Sequence, residues 1–102
     1  MSLVQTEFSD TIATITLDQP AKRNALSTSL IEKLIEALKT CAAENARVVI
    51  LRARPGAQVW SAGHDVSELP KGGRDPLGWA DPLRHLIRSV EELPAPVIAL
   101  VE

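Results

Sequence analysis

Residues 3–17, LVQTEFSDTIATITL, contain two runs in which apolar and polar side chains alternate. The runs, 3–8 and 12–17, are rich in Val, Ile and Thr, the composition of half-buried strands. Ser9-Asp10-Thr11 separates them with small polar residues that suit a tight turn. This stretch therefore predicts an N-terminal β-hairpin.

A helix is predicted after the hairpin. Residues 18–25 contain Pro20, two cations and an asparagine, which indicate a loop, and Ser27 stands where a helix N-cap is expected. The helix should run to about Ala43, with one side packed against a sheet. Its apolar residues recur with helical spacing: Leu30, Ile31, Leu34, Ile35, Leu38, Cys41 and Ala42. Charged residues occupy its other side: Glu32, Lys33, Glu36 and Lys39.

Two further strands and a second helix are predicted towards the C-terminus. Residues 48–51 are a β-branched apolar run typical of a buried strand, and Pro55-Gly56 predicts a turn after it. Residues 97–101 are apolar throughout and predict another buried strand. Asp81-Pro82 suits the start of a helix. The apolar face of that helix comprises Leu83, Leu86, Ile87, Val90 and Leu93.

This order of elements predicts an α/β fold, with a β-hairpin followed by parallel strands joined by crossover helices. The 102 residues are expected to form one domain, 1–102, and a partial one, because a buried strand that meets the chain end without a closing element indicates truncation.

Composition and charge exclude several classes of function. The formal net charge of -2, with 11 dispersed Lys and Arg residues, gives no basic field for nucleic acid. The single cysteine, Cys41, permits no internal disulfide and suits a reducing cytoplasm. No signal peptide or membrane-length apolar run is present, so a soluble intracellular protein is expected. Glycine motifs for dinucleotides or nucleoside triphosphates are absent from the sequence.

Residues 61–68, SAGHDVSE, are the strongest candidate for chemistry. Asp65 and Glu68 have the spacing of a capping box at the start of a short helix. Ala62 and Gly63 are small enough for a ligand to approach the backbone, where helix-start amides could bind an oxyanion. Such a donor typically contributes roughly 3 to 4 kcal/mol to a transition state. On the residues alone, a capped helix behind a tight turn is the simpler interpretation.

These motifs resemble those of a known family. Residues 60–65, Trp-Ser-Ala-Gly-His-Asp, are similar to the first oxyanion segment of the crotonase (enoyl-CoA hydratase/isomerase) superfamily. Residues 20–26, PAKRNAL, resemble the coenzyme A loop of that superfamily. Residues 68–77 and 81–84 are similar to its methylmalonyl-CoA decarboxylase subfamily. The resemblance implies the N-terminal half of the crotonase fold, a superhelix of ββα units.

The resemblance also implies roles for individual residues. It makes the backbone amide of His64 one of two oxyanion-hole donors, a role that does not need the imidazole. The implied acyl-CoA-binding residues are Lys22, Arg23, Ala25, Leu26, Ala62, Gly63, His64, Asp65 and Val66. Of these, Lys22 and Arg23 would suit the phosphates of coenzyme A, although a solvated loop explains the two cations equally well.

By this resemblance the whole enzyme would stabilise the enolate that forms as methylmalonyl-CoA loses carbon dioxide. It would need no metal or organic cofactor, since coenzyme A is part of the substrate, and it would be a homo-oligomer. The second oxyanion donor would come from a glycine-rich turn beyond Glu102, so the 102 residues alone are expected to be inactive. Alternatives are a hydratase or isomerase segment and a non-catalytic binding or assembly module.

Two histidine-based alternatives are rejected. Ser61, His64 and Asp65 supply the residue types of a hydrolase triad, but neighbours on one turn cannot form the hydrogen-bonded line that a triad needs. His85 has no partner at metal-ligand spacing and is expected to be a partly exposed structural residue. Trp60 and Trp79 receive no functional assignment from the sequence.

Overall fold

The computed structural model describes residues 3–63 and 82–101, and shows an α/β fold with one four-stranded sheet in the order β1-β2-β3-β4. A 3-10 turn, Pro20–Lys22, follows the second strand. The elements are β1 (Val4–Ser9), β2 (Ile12–Leu17), α1 (Thr28–Ala43), β3 (Val48–Ala53), α2 (Pro82–Glu92) and β4 (Val97–Leu100).

The sheet combines the predicted hairpin with the predicted parallel strands. β1 and β2 pair antiparallel from Val4 opposite Leu17 to Ser9 opposite Ile12, which leaves a two-residue turn whose first residue, Asp10, has a φ of 60°. β2 pairs parallel with β3, and β3 pairs parallel with β4. α1 lies in the β2–β3 connection and α2 in the β3–β4 connection, so both predicted crossover helices are confirmed.

Capping bonds at both ends fix the length of α1. The Ser27 hydroxyl accepts the Leu30 amide at 3.2 Å, which satisfies one of the unpaired donors of the first turn. At the other end Asn45 has a φ of 58°, and its amide bonds the Ala42 carbonyl oxygen. The Ala46 amide bonds the Cys41 carbonyl oxygen, which completes a Schellman motif. The predicted helix boundaries are therefore confirmed.

The core lies between α1 and one face of the sheet. The buried strand residues alternate along each strand, so they share the face that α1 covers. The core residues are Val4, Ala13, Ile15, Leu17, Leu30, Leu34, Ala37, Leu38, Cys41 and Val49. Each large aliphatic side chain buried here contributes roughly 1.5 to 3 kcal/mol. From α2, Leu86 and Val90 pack against the edge of this core and stay partly exposed.

The expectation of two buried parallel strands is only partly correct. In β3, Val49 is buried while Val48, Ile50 and Leu51 are half-buried. In β4, Ile98 and Leu100 are 53% and 41% exposed. The physical reason is that the helices cover a single face, whereas Ile98 and Leu100 point to the opposite one at the edge of the sheet.

That opposite face, called here the open face, changes character across the sheet. On β1 it carries Gln5, Glu7 and Ser9, and on β4 it carries the exposed side chains of Ile98 and Leu100. The open face is therefore polar at one edge and apolar at the other.

Candidate functional site

The first half of the candidate site is the loop that follows β2. The prediction of a loop over residues 18–25 needs one refinement, because Pro20–Lys22 forms a 3-10 turn. Arg23 and Asn24 then adopt left-handed conformations, with φ of 51° and 55°. Such a conformation costs a non-glycine residue roughly 1 to 2 kcal/mol, with Asn among the most tolerant. The Asn24 amide closes the loop by bonding the Gln19 carbonyl oxygen at 3.0 Å.

The second half of the candidate site is the segment 59–63. It is reached from β3 through the predicted Pro55-Gly56 turn, in which Gly56 has a φ of 87° and the Ala57 amide bonds the Arg54 carbonyl oxygen. Gly63 has a φ of 84°, a value that residues other than glycine rarely adopt.

Backbone hydrogen bonds join the two halves. The Ala62 amide donates to the Arg23 carbonyl oxygen at 2.9 Å, and the Leu26 amide donates to the Gly63 carbonyl oxygen at 2.7 Å. The structure therefore brings together, within the described residues, the two segments that the sequence analysis assigned to one site.

Asn24 adds side-chain bonds between the same halves. Its side-chain oxygen accepts the Gln19 amide at 2.8 Å, and its side-chain nitrogen donates to the carbonyl oxygens of Trp60 at 3.0 Å and Val59 at 3.4 Å. The Ser61 hydroxyl donates to the Asn24 carbonyl oxygen at 2.8 Å and accepts the Gly63 amide at 3.1 Å. Both bonds of the Ser61 hydroxyl are therefore made to backbone groups, and they hold the segment in place.

The predicted site residues differ in exposure. Lys22, Arg23 and Ala62 are exposed, while Ala25, Leu26 and Gly63 are half-buried. Apart from its chain neighbours, no heavy atom of residues 3–63 and 82–101 lies within 4 Å of the point where a Cβ would stand on Gly63. His64, Asp65 and Val66 lie outside the described residues, as do Glu68 and Trp79.

A cleft of about 440 Å³ adjoins the loop, between residues 17–24 and residues 54–59. Asp18 and Arg54 stand on its walls with their side chains 3.6 Å apart, and Asp18 also accepts a bond from Gln5 at 2.8 Å. The side-chain oxygen of Gln19, on the same wall, is buried without a hydrogen-bond partner in the described structure. The cleft thus combines charged and polar groups with apolar side chains such as those of Leu17 and Val59.

Asn24, Asp18 and Arg54 had no predicted role in the site, although Asn24 lies within the motif at 20–26. A signal for the last two was present, because they directly follow the neighbouring parallel strands β2 and β3, whose carboxyl ends meet at one edge of the sheet. Trp60, which had no assignment, donates its indole N–H to the Leu100 carbonyl oxygen at 2.9 Å. His85 lies on the exposed side of α2.

Among residues 3–63 and 82–101, no helix has both the length and the apolar character required to cross a membrane. Within the same ranges, no three side chains of the His, Cys, Asp and Glu types lie together as a possible metal site.

Residues 7–102 match the family model described as enoyl-CoA hydratase/isomerase. The chain is 46% identical over 91 residues to methylmalonyl-CoA decarboxylase of Escherichia coli (strain K12), an alignment that covers 89% of this chain and 35% of that protein. It is 36% identical over 102 residues to enoyl-CoA hydratase domain-containing protein 3, mitochondrial, of Danio rerio, covering 98% of this chain and 35% of that protein. The chain thus spans about a third of the length of these relatives.

Solved structures agree with this similarity. Methylmalonyl-CoA decarboxylase complexed with 2S-carboxypropyl-CoA matches with a TM-score of 0.92 and 42% identity, covering 100% of this chain and 39% of that one.

Proposed function

Because this chain belongs to the enoyl-CoA hydratase/isomerase family, the crotonase superfamily, we propose that it forms part of an enzyme that decarboxylates methylmalonyl-CoA. The observation that carries the proposal is the 46% identity to a methylmalonyl-CoA decarboxylase. The bonds that join loop 20–26 to residues 60–63 support it, since the family resemblance gives acyl-CoA binding to residues within 20–26 and 60–66.

The proposed reaction requires stabilisation of one developing charge. As carbon dioxide leaves, the electron pair of the broken C–C bond moves into the thioester and forms an enolate, which a proton then converts to propionyl-CoA. A backbone N–H at the enolate oxygen stabilises this charge, and we assign one such donor to the amide of His64. The bonds from Ala62 to Arg23 and from Leu26 to Gly63 hold the backbone that leads to that residue.

We assign coenzyme A binding to the exposed 3-10 turn, Pro20–Lys22, and to the backbone of Ala62 and Gly63 that faces it. Lys22 offers a flexible point charge and Arg23 a planar fork, both suited to phosphate oxygens. Ala25, Leu26, Ala62 and Gly63 supply small or apolar surface beside them, and Asp65 and Val66 continue the proposed site. The alternative for the two cations remains a solvated loop.

Three further properties belong to the proposal. No metal or organic cofactor is needed, because the thioester itself accepts the electron pair. A reducing cytoplasm suits the free, buried thiol of Cys41. A homo-oligomer would cover the apolar side chains that β4 exposes, among them Ile98 and Leu100.

A second candidate is a hydratase or isomerase of the same family. The family model and the 36% identity to the Danio rerio protein favour it, because both carry hydratase in their descriptions. The two candidates share the loops described above and differ in the groups that act on the α- and β-carbons, which the resemblance does not assign to these 102 residues.

Product release from methylmalonyl-CoA and from crotonyl-CoA tests the proposal. The 102-residue chain should bind coenzyme A without turnover above background, because the family resemblance places the second oxyanion donor outside it. Joined to the C-terminal remainder of the Escherichia coli relative, it should decarboxylate methylmalonyl-CoA.

Three other outcomes of these assays would contradict the proposal or favour an alternative. Turnover by the 102 residues alone that survives repurification contradicts the proposed inactivity. Hydration of crotonyl-CoA without decarboxylation by the joined protein favours the second candidate. Coenzyme A binding without turnover in the joined protein indicates a binding module instead.

A further inference from the structure

We infer that Asn24 is a positioning residue that fixes segment 59–63 against the loop 20–26, so that the two halves of the acyl-CoA site move as one unit. The inference rests on the proposed function, since it concerns the same site. Asn24 affects ligand affinity through other residues, because the residue is only 2% exposed and its side chain bonds protein backbone.

The bonds of Asn24 extend in both directions along the sequence. Its side-chain oxygen is bound to Gln19 in its own loop, and its side-chain nitrogen is bound to Trp60, 36 residues away. The Ser61 hydroxyl bonds its main-chain carbonyl oxygen from the distant segment as well. One buried residue therefore connects the loop to three successive residues of the facing segment, through the carbonyl oxygens of Val59 and Trp60 and the hydroxyl of Ser61.

Few other side chains could replace Asn24. A carboxylate has no donor for the Val59 and Trp60 carbonyl oxygens, and an aliphatic side chain has neither donor nor acceptor. Glutamine would carry its amide about one bond length too far. The φ of 55° also favours Asn, which enters the left-handed region more readily than most residues.

Asn24→Asp is the informative substitution. It keeps the side-chain shape, the acceptor for Gln19 and the tolerance of a positive φ. It replaces the donor with an oxygen that faces the carbonyl oxygens of Val59 and Trp60, which were 3.4 and 3.0 Å from the lost nitrogen. Unpaired buried oxygens repel, so the two halves should separate more often.

Asn45→Asp provides the matched control. Asn45 is likewise left-handed, with a φ of 58°, and the substitution makes the same chemical change. It is exposed at the C-terminal end of α1, away from the bonds between the two halves.

The first measurement is amide hydrogen exchange in the 102-residue chain. The amides of Ala62 and Leu26, which form the backbone bonds between the halves, should lose roughly tenfold or more of their protection in Asn24→Asp. The amide of Val49, bonded to Pro96 in the sheet, should keep its protection. Unchanged protection at Ala62 and Leu26 overturns the inference.

The second measurement is the dissociation constant of coenzyme A by calorimetry. It should rise roughly tenfold in Asn24→Asp and stay unchanged in Asn45→Asp. Burial against two carbonyl oxygens raises the pKa of the introduced carboxyl group above its ordinary value. Lowering the pH protonates this group and restores a donor, so protection and affinity in Asn24→Asp should recover relative to the control as the pH falls. Lost protection with unchanged affinity overturns the positioning role.

The two measurements separate this inference from the proposed function. If the unsubstituted chain does not bind coenzyme A, the coenzyme A binding proposed for these 102 residues fails, while hydrogen exchange still tests the connection between the two halves. Should Asn24→Asp prevent folding, Ser61→Ala removes one bond to Asn24, together with the bond from the Gly63 amide, and should reduce Ala62 protection severalfold. No reduction in that variant contradicts the inference.

Discussion

Cys41 shows how the environment of one residue changes its chemistry. It lies on the core side of α1 with no exposed surface. Burial raises the pKa of its thiol, because apolar surroundings disfavour the thiolate, and a backbone hydrogen bond opposes this effect in part. The neutral thiol is therefore the form that packs in the native core.

This pKa shift predicts a pH dependence of stability. The folded-state pKa lies above the ordinary value of 9.0, so the contribution of the thiol is complete below that pH and is lost as the pH rises through the folded pKa. Cys41→Ala should cost about 1 kcal/mol at pH 7 and leave a smaller difference from the parent chain at pH 10. Urea unfolding under reducing conditions measures both. Parallel pH profiles would show that the thiol is not coupled to folding.

The elements of this fold follow from local signals to different extents. The hairpin and α1 lie where the sequence predicts them, because alternation, the Ser27 cap and helical periodicity act within a few residues. β3 extends to Ala53 and β4 ends at Leu100, small differences from the predicted limits. The burial of β4 could not be predicted, since a run of apolar residues does not show which sheet face the helices cover.

The candidate site was predictable at the level of segments. The motifs at 20–26 and 60–65 indicated that two distant parts of the chain serve one site, and the structure joins their described portions. The importance of Asn24 was not predictable, because its partners Val59 and Trp60 are far away in sequence and only the completed fold brings their carbonyl oxygens within reach.

The N-cap of α1 gives a prediction for that helix. Ser27→Ala removes the bond to the Leu30 amide and should lower the free energy of unfolding by about 1 kcal/mol. Ser29→Ala makes the same change on the exposed surface of the first turn and should have little effect or a slight stabilising one. Urea midpoints with unchanged slopes measure the difference. Equal midpoints for the two variants would contradict a capping role.

In the part of the chain that the structure describes, the helices cover one sheet face and leave the other open, and the apolar edge of that open face predicts self-association. Ile98→Lys should shift the 102-residue chain towards the monomer, because a charge on β4 opposes burial and edge pairing. Ser9→Lys adds the same charge at the polar edge of the same face and should not. Sedimentation at micromolar concentrations measures both. A parent chain that stays monomeric and unfolds cooperatively would contradict this prediction.

The exposed position of Ile98 and Leu100 also affects how the stability of this protein should be described. If association covers them, partner copies act as ligands of the native state, and mass action raises the apparent unfolding midpoint with protein concentration. The unfolding midpoint then depends on the protein concentration at which it is measured, and it does not describe the stability of a single chain. Ile98→Lys should remove most of that concentration dependence, while its dilute midpoint should stay close to that of the parent chain.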